Sequence, residues 1–282
     1  MTAMSHADTD ALWAGIDDQR ARTADLLEQL TAQQWEHPSL CQGWTVRHVA
    51  AHLTGQQQRI RDVAAFIAHH PRLLRAPTLN ASIRDSAILQ AQLLTSAEII
   101  TAIRAMIGSR RHNFFVTPLE TLTDILVHSQ DIAIPLGLDL SMQPQAAAFA
   151  ATRRWDTRNT WLASVNRRLP LDGYRLTATD TDWTRGHGPE IAGPIGALLL
   201  LLTGRDAALD HLTGDGTDAL RAAITAAPRN SPRRSPRTAT VAAERRTAAA
   251  TWGLRGPVRP SAPSGSPPAR PDPDRPARYR RW

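Results

Sequence analysis

The chain contains no lysine. All 33 basic residues are arginine, and alanine is abundant, a bias that points to GC-rich coding and not to a mechanism. Cysteine is nearly absent too. With Cys41 alone, no intrachain disulfide can form, so a reducing cytoplasm is the expected compartment. No apolar run approaches the roughly 20 residues that span a bilayer. The longest, Ile195 to Leu202, is broken by Gly196 and reads as a buried helix. Met1 to Asp10 is polar and acidic without an apolar stretch, so no signal peptide is expected.

What is present is enough for a core. A chain of 282 residues that is 42% hydrophobic suggests one or two globular domains. The net charge of +7 is unevenly spread. Residues 223–282 hold 13 arginines against Glu244, Asp272 and Asp274, a local +10 that leaves −3 for residues 1–222. The body is thus mildly acidic, and the high isoelectric point gives no reason to expect it to bind nucleic acid. The same tail holds 11 of the 20 prolines and few large apolar side chains. It reads as disordered, either a dispensable or frame-shifted extension or a patch for nucleic acid or membrane.

Apolar periodicity places helices over about 10–30, 46–68, 81–94, 95–107, 118–134 and 143–164. Thr45 suits an N-cap, Thr95 with Glu98 a capping box, and Pro118 a first turn. Tyr174 to Thr179 alternates like an exposed strand, and Asp180 to Gly188 reads as turn. A buried helix then runs from Pro194 to Gly204, and a last short one ends near Ala222. The expected class is mostly α: a helical bundle over 1–160, a small α+β appendix over 161–222 and the tail over 223–282.

Two helical segments carry metal-capable side chains four residues apart, His48 with His52 and Asp124 with His128. Residues at that spacing share a helix face, and two such helices facing each other can build a site inside a bundle. Imidazole and carboxylate donors suit an ion such as Zn²⁺. Val49 follows His48 where a zinc peptidase would need a glutamate, which excludes His-Glu-x-x-His chemistry. Asp131 lies three residues beyond His128 and reads either as a hydrogen-bond partner for a ligand or as a solvated or capping acid. Arg84 is a candidate for gripping a substrate carboxylate, against a surface role. Cys41 reads as a small buried residue beside Trp44, and Trp44 and Trp183 as core anchors.

Leu40-Cys41-x-Gly43-Trp44-Thr45-Val46-Arg47-x-Val49-x-x-His52-Leu53 resembles the N-terminal signature of the maleylpyruvate isomerase family of mycothiol-dependent enzymes. Asp124-x-x-x-His128-x-Gln130-Asp131-Ile132 with Pro135-Leu136-Gly137 is similar to its second signature. Trp183 to Pro194, Gly204-Arg205 and Gly214-Asp215-Gly216 are similar to its C-terminal region. The resemblance implies a DinB-like four-helix fold and a divalent metal, Zn²⁺ by donor type, held by His52, Asp124 and His128, with His48 as a neighbour. Relatives often carry glutamate in place of Asp124. It also implies mycothiol as the thiol. A metal-bound thiolate would add to an activated cis double bond, with rotation and elimination giving the trans isomer, or would be transferred to an electrophile. The alternatives are a metal- or ligand-binding bundle without catalysis and a nucleic-acid-associated protein acting through its tail.

Overall fold

In a computed structural model of the chain, the structure describes residues 5–114, 116–158 and 169–226. The distal part of the expected helix 143–164 and residues 227–282 of the expected tail lie outside the described residues.

The bundle is built of α1 (His6–Glu28), α3 (Val46–Leu53), α5 (Leu79–Leu93), α6 (Ser96–Arg104), α7 (Pro118–Ala133) and α8 (Pro144–Thr157). Two smaller helices, α2 (Ala32–Trp35) and α4 (Ile60–His69), lie in the connections. α1 packs on α6, α7 and α8, while α3 packs on α5 and α7. α1 begins earlier than the apolar pattern suggests, because the Ser5 hydroxyl accepts from the Asp8 amide and Asp8 accepts from the Ser5 amide.

The expected helix over 46–68 is instead two helices. At Thr54 the side-chain hydroxyl donates back to the Ala51 carbonyl at 2.7 Å, and Gly55 follows. The turn tightens, and α4 restarts where the Asp62 carboxylate accepts from the Arg59 amide. Periodicity did not reveal the break, because both halves carry apolar residues in compatible phase.

α7 has three faces. Leu122 and Leu126 face one core with Leu12, Trp13 and Ile16 of α1 and the alanines of α8. Ile125 and Ile132 face a second core with Val46, Val49, Leu53, Ile99 and Ile103. Asp124, His128 and Asp131, at i, i+4 and i+7, form the remaining stripe.

The appendix is a three-stranded sheet with β1 (Arg175–Ala178) in the centre. It pairs antiparallel with β2 (Thr184–Gly186) and parallel with β3 (Glu190–Gly193), so Leu176 lies between Arg185 and Ile191. The segment expected to be turn therefore contains β2. Gly186 sits at φ +83, where a Cβ would collide with the Tyr174 carbonyl, so this close pairing requires glycine. α9 (Ile195–Leu202) is the expected buried helix, its first amide accepted by Asp180 at 2.8 Å. α10 (Asp215–Ala226) runs past Ala222. Leu176, Ile191 and Leu198 share one core with Leu12 and Ile16, and the Trp183 indole donates to Thr152 of α8 at 2.9 Å. Among the described residues, no single helix is long and apolar enough to cross a membrane.

Ile16 is fully buried where α1 meets α7 and α8. Ile16→Ala is expected to lower unfolding free energy by about 2–5 kcal/mol, measured by urea denaturation. A loss well under about 1 kcal/mol would show that α1 is not part of this core.

Candidate metal centre

Two helices meet at the site. From α3, His52 presents its ring towards α7, where Asp124 and His128 lie one turn apart. His52 Nε2 is 3.3 Å and His128 Nε2 is 3.4 Å from the same atom, Asp124 Oδ1. The three donor atoms lie within 4.8 Å of one another. Tetrahedral zinc with ligands at roughly 2.0–2.2 Å spaces its donors about 3.4 Å apart, so both measured separations fit a shared ion. Trp44 walls the group, its ring 5.3 Å from that of His52 and 6.2 Å from that of His128.

The hydrogen bonds around the group set its protonation. His128 Nδ1 lies 2.8 Å from Asp131 Oδ2, and a carboxylate can only accept, so Nδ1 carries the proton. The Nε2 lone pair then points at Asp124 Oδ1. A lone pair facing a carboxylate repels it unless a proton or cation lies between. Burial alone would lower His52, but Asp124 overrides it and holds this imidazole above its ordinary value. Burial alone would raise the Asp124 carboxyl, but the two imidazoles and Gln56 hold it well below the usual carboxylate range. The donors therefore favour a positive charge at their centre.

Asp131 is fully buried and acts as the partner of His128, not as a solvated acid. Arg205 grips it with two donors, Nε to Oδ1 at 3.0 Å and Nη2 to Oδ2 at 2.6 Å. The end of α9 aims this arginine. Gly204 takes φ +84, its amide bonds Leu201, and the Arg205 amide bonds Leu200, so the chain reverses there. Burial would raise Asp131, but His128 and Arg205 hold it far below the ordinary range.

Cys41, expected as a small buried residue beside Trp44, is half-buried against the core that contains Trp44 and also reaches the Asp131 cluster. Its Sγ lies 3.1 Å from Asp131 Oδ2, 3.6 Å from His128 Nδ1 and 3.8 Å from Arg205 Nη2. Burial, reinforced by Asp131, pushes this thiol far above its ordinary value, so it is a neutral donor. His48 is used elsewhere, as its Nδ1 accepts from the Thr45 amide at 3.1 Å and caps α3. Arg84 is exposed and bonded to Asp85 of its own helix, and among the described residues no hydrogen bond links it to the group.

Three contributors were not assigned a role from sequence: Arg205, Gln56 and Arg20. Gln56 Nε2 donates to Asp124 Oδ2 at 2.8 Å. Gln56 lies just beyond the end of α3, in the turn made at Thr54 and Gly55, so helical spacing gives no signal for it. Arg20 stands four residues after Ile16, on the apolar stripe of α1, where a charged residue signals a buried partner.

Residues 16–133 match the family model described as the mycothiol maleylpyruvate isomerase N-terminal domain. No curated protein matches the chain. Among solved structures, a crystal structure of the mycothiol-dependent maleylpyruvate isomerase aligns at 12% identity and a TM-score of 0.47. The alignment covers 74% of this chain and 93% of that one. A histidine-to-alanine mutant of that isomerase aligns with the same values. His52, Asp124, His128 and Asp131 all fall within the matched domain, whereas Arg205 lies outside it.

Two outcomes follow from the Asp131 cluster. Arg205→Ala strands a buried carboxylate and is expected to cost about 3–5 kcal/mol in urea unfolding, against under about 1 kcal/mol for the exposed Arg84→Ala. Equal losses would show that the Arg205 pair adds nothing. Because the folded-state pKa of Asp131 is depressed, its contribution is complete above the unfolded carboxylate value of about 4 and is lost as pH falls below it. Wild type should therefore lose more stability than Asp131→Asn between about pH 5 and pH 2. Parallel stability curves for the two proteins would contradict this.

Proposed function

We propose that the protein is a metal-dependent enzyme of the maleylpyruvate isomerase type that uses mycothiol as its thiol. The observation that carries this reading is one carboxylate oxygen, Asp124 Oδ1, facing two imidazole nitrogens at 3.3 and 3.4 Å. His52, Asp124 and His128 would hold the ion, and Zn²⁺ suits two nitrogens and one oxygen. Three protein ligands leave a position open, the pattern of a catalytic centre. A bound ion would supply Lewis acidity, which favours the thiolate form of a thiol near neutral pH.

The protein's own groups serve that chemistry. Asp131 fixes the His128 tautomer so that Nε2 offers its lone pair to the centre. Arg205 balances the Asp131 charge, which leaves the charge on Asp124 to the centre. Trp44 shields one side of the donors from water. Cys41 stays protonated and does not compete with an added thiol. The reaction class is addition of the thiol to an activated cis double bond with release as the trans isomer, or its transfer to an electrophile. A reducing cytoplasm suits such a thiol.

Metal analysis of wild type against His52→Ala, Asp124→Ala and His128→Ala tests the centre. Each loss is expected to exceed the roughly 10–100-fold drop in affinity that follows removal of a supporting hydrogen bond. Undiminished metal in all three variants would end the proposal. Turnover of maleylpyruvate or an electrophile panel should require added mycothiol. A metal-loaded protein with no thiol-dependent turnover would be a binder and not an enzyme.

A further inference from the structure

We propose that Gln56, oriented by the buried guanidinium of Arg20, positions Asp124 to offer a single oxygen to the metal. The proposal rests on the metal-site reading above and extends it to two residues outside the donor set.

Arg20 is fully buried in α1. Its Nε and Nη2 each lie 3.2 Å from Gln56 Oε1. Its Nη1 donates to the Met106 carbonyl at 2.9 Å and lies 3.6 Å from Asp17 Oδ1. Burial pulls Arg20 down to about 10, so it remains charged at neutral pH.

These contacts leave the Gln56 amide one orientation. A guanidinium has only donors, so the amide oxygen must face Arg20. A carboxylate has only acceptors, so the amide nitrogen must face Asp124. Gln56 Nε2 is 2.8 Å from Asp124 Oδ2. That bond occupies Oδ2 and leaves Oδ1 turned to His52 and His128.

The chain break after α3 puts Gln56 in place. A helix continued through residue 56 would lack the turn that Thr54 and Gly55 make. The turn is pinned from two sides, by Gln90 donating to Thr54 Oγ1 at 2.6 Å and by Gln57 donating to the Met106 carbonyl at 3.3 Å. The same Met106 carbonyl receives Arg20. An arginine that only braced the core could use any acceptor. Here two of its donors go to an amide whose other end holds a donor of the metal group. Arg20 and Gln56 are therefore positioning residues and not ligands.

The test is Zn²⁺ affinity, by chelator competition, of full-length wild type, Gln56→Met, Arg20→Met and His52→Ala, with circular dichroism and metal-free thermal unfolding on each. Gln56→Met should bind Zn²⁺ about 10–100-fold more weakly while keeping the wild-type helical spectrum. Arg20→Met should shift affinity the same way by less, because the freed amide can still reach Asp124. If Gln56→Met does not fold, Gln56→Asn takes its place, since its shorter amide cannot span both partners. Wild-type affinity in the folded Gln56 variant, alongside loss of Zn²⁺ in His52→Ala, would overturn the positioning role alone. Retention of Zn²⁺ by His52→Ala would overturn the metal site itself, and this proposal with it.

Discussion

A carboxylate with no exposed surface organises this molecule. Asp131 is cut off from water, and an isolated charge there would cost several kcal/mol. The fold offsets that cost with three side chains. His128 donates from one turn back on α7, Arg205 donates twice from beyond α9, and Cys41 donates its thiol. The backbone carbonyl of Asp131 separately receives the Leu40 amide at 3.1 Å, which ties the loop before α3 to the same residue. The bundle, the loop before α3 and the C-terminal appendix are therefore held in one register around a single side chain.

The same logic recurs 7 residues earlier on α7. Asp124 is backed by Arg20 as Asp131 is backed by Arg205, but the contacts differ. Arg205 touches its carboxylate directly and occupies both oxygens. Arg20 acts through the Gln56 amide and takes only Oδ2. A carboxylate with both oxygens bound to a guanidinium is a poor donor to anything else, whereas one with a free oxygen and a distant compensating cation remains a good one. The difference between a direct and a relayed arginine separates the carboxylate that supports the site from the one that faces its centre.

The parts of this arrangement that lie within one helix were legible in the sequence. Asp124, His128 and Asp131 share a face because of helical spacing alone, and Thr45, Thr95 and Pro118 marked real helix starts. The apolar run Ile195–Leu202 became the buried α9. Features that depend on a side chain competing for nearby backbone groups, or on approach between segments, were not legible. The spacing of His48 and His52 looked equivalent to a second pair, yet His48 is spent on capping α3. The break at Thr54 depends on a side-chain hydroxyl competing with the backbone, which periodicity does not register. Strands β2 and β3 are short and glycine-bounded, and they pair because β1 lies between them. The fully buried Arg20 makes sense only once Gln56 is known to reach it.

Cys41 shows how a buried carboxylate network can hold a cysteine in its protonated form. An ionised Cys41 would place a second negative charge 3.1 Å from Asp131 Oδ2. At an effective dielectric constant of about 20, like charges at that distance repel by about 5 kcal/mol. Arg205 pulls the other way, but it is already bonded through two donors to Asp131, and its closest approach to the sulfur is 3.8 Å. The proton therefore stays on sulfur, where it satisfies a lone pair of the buried carboxylate. A serine would fall short of the same bond, since its C–O bond is shorter than a C–S bond while an O–H···O contact needs a closer approach. The thiol is held as a spacer and hydrogen-bond donor in the layer behind His128, and the centre is left to the cation that His52, Asp124 and His128 favour.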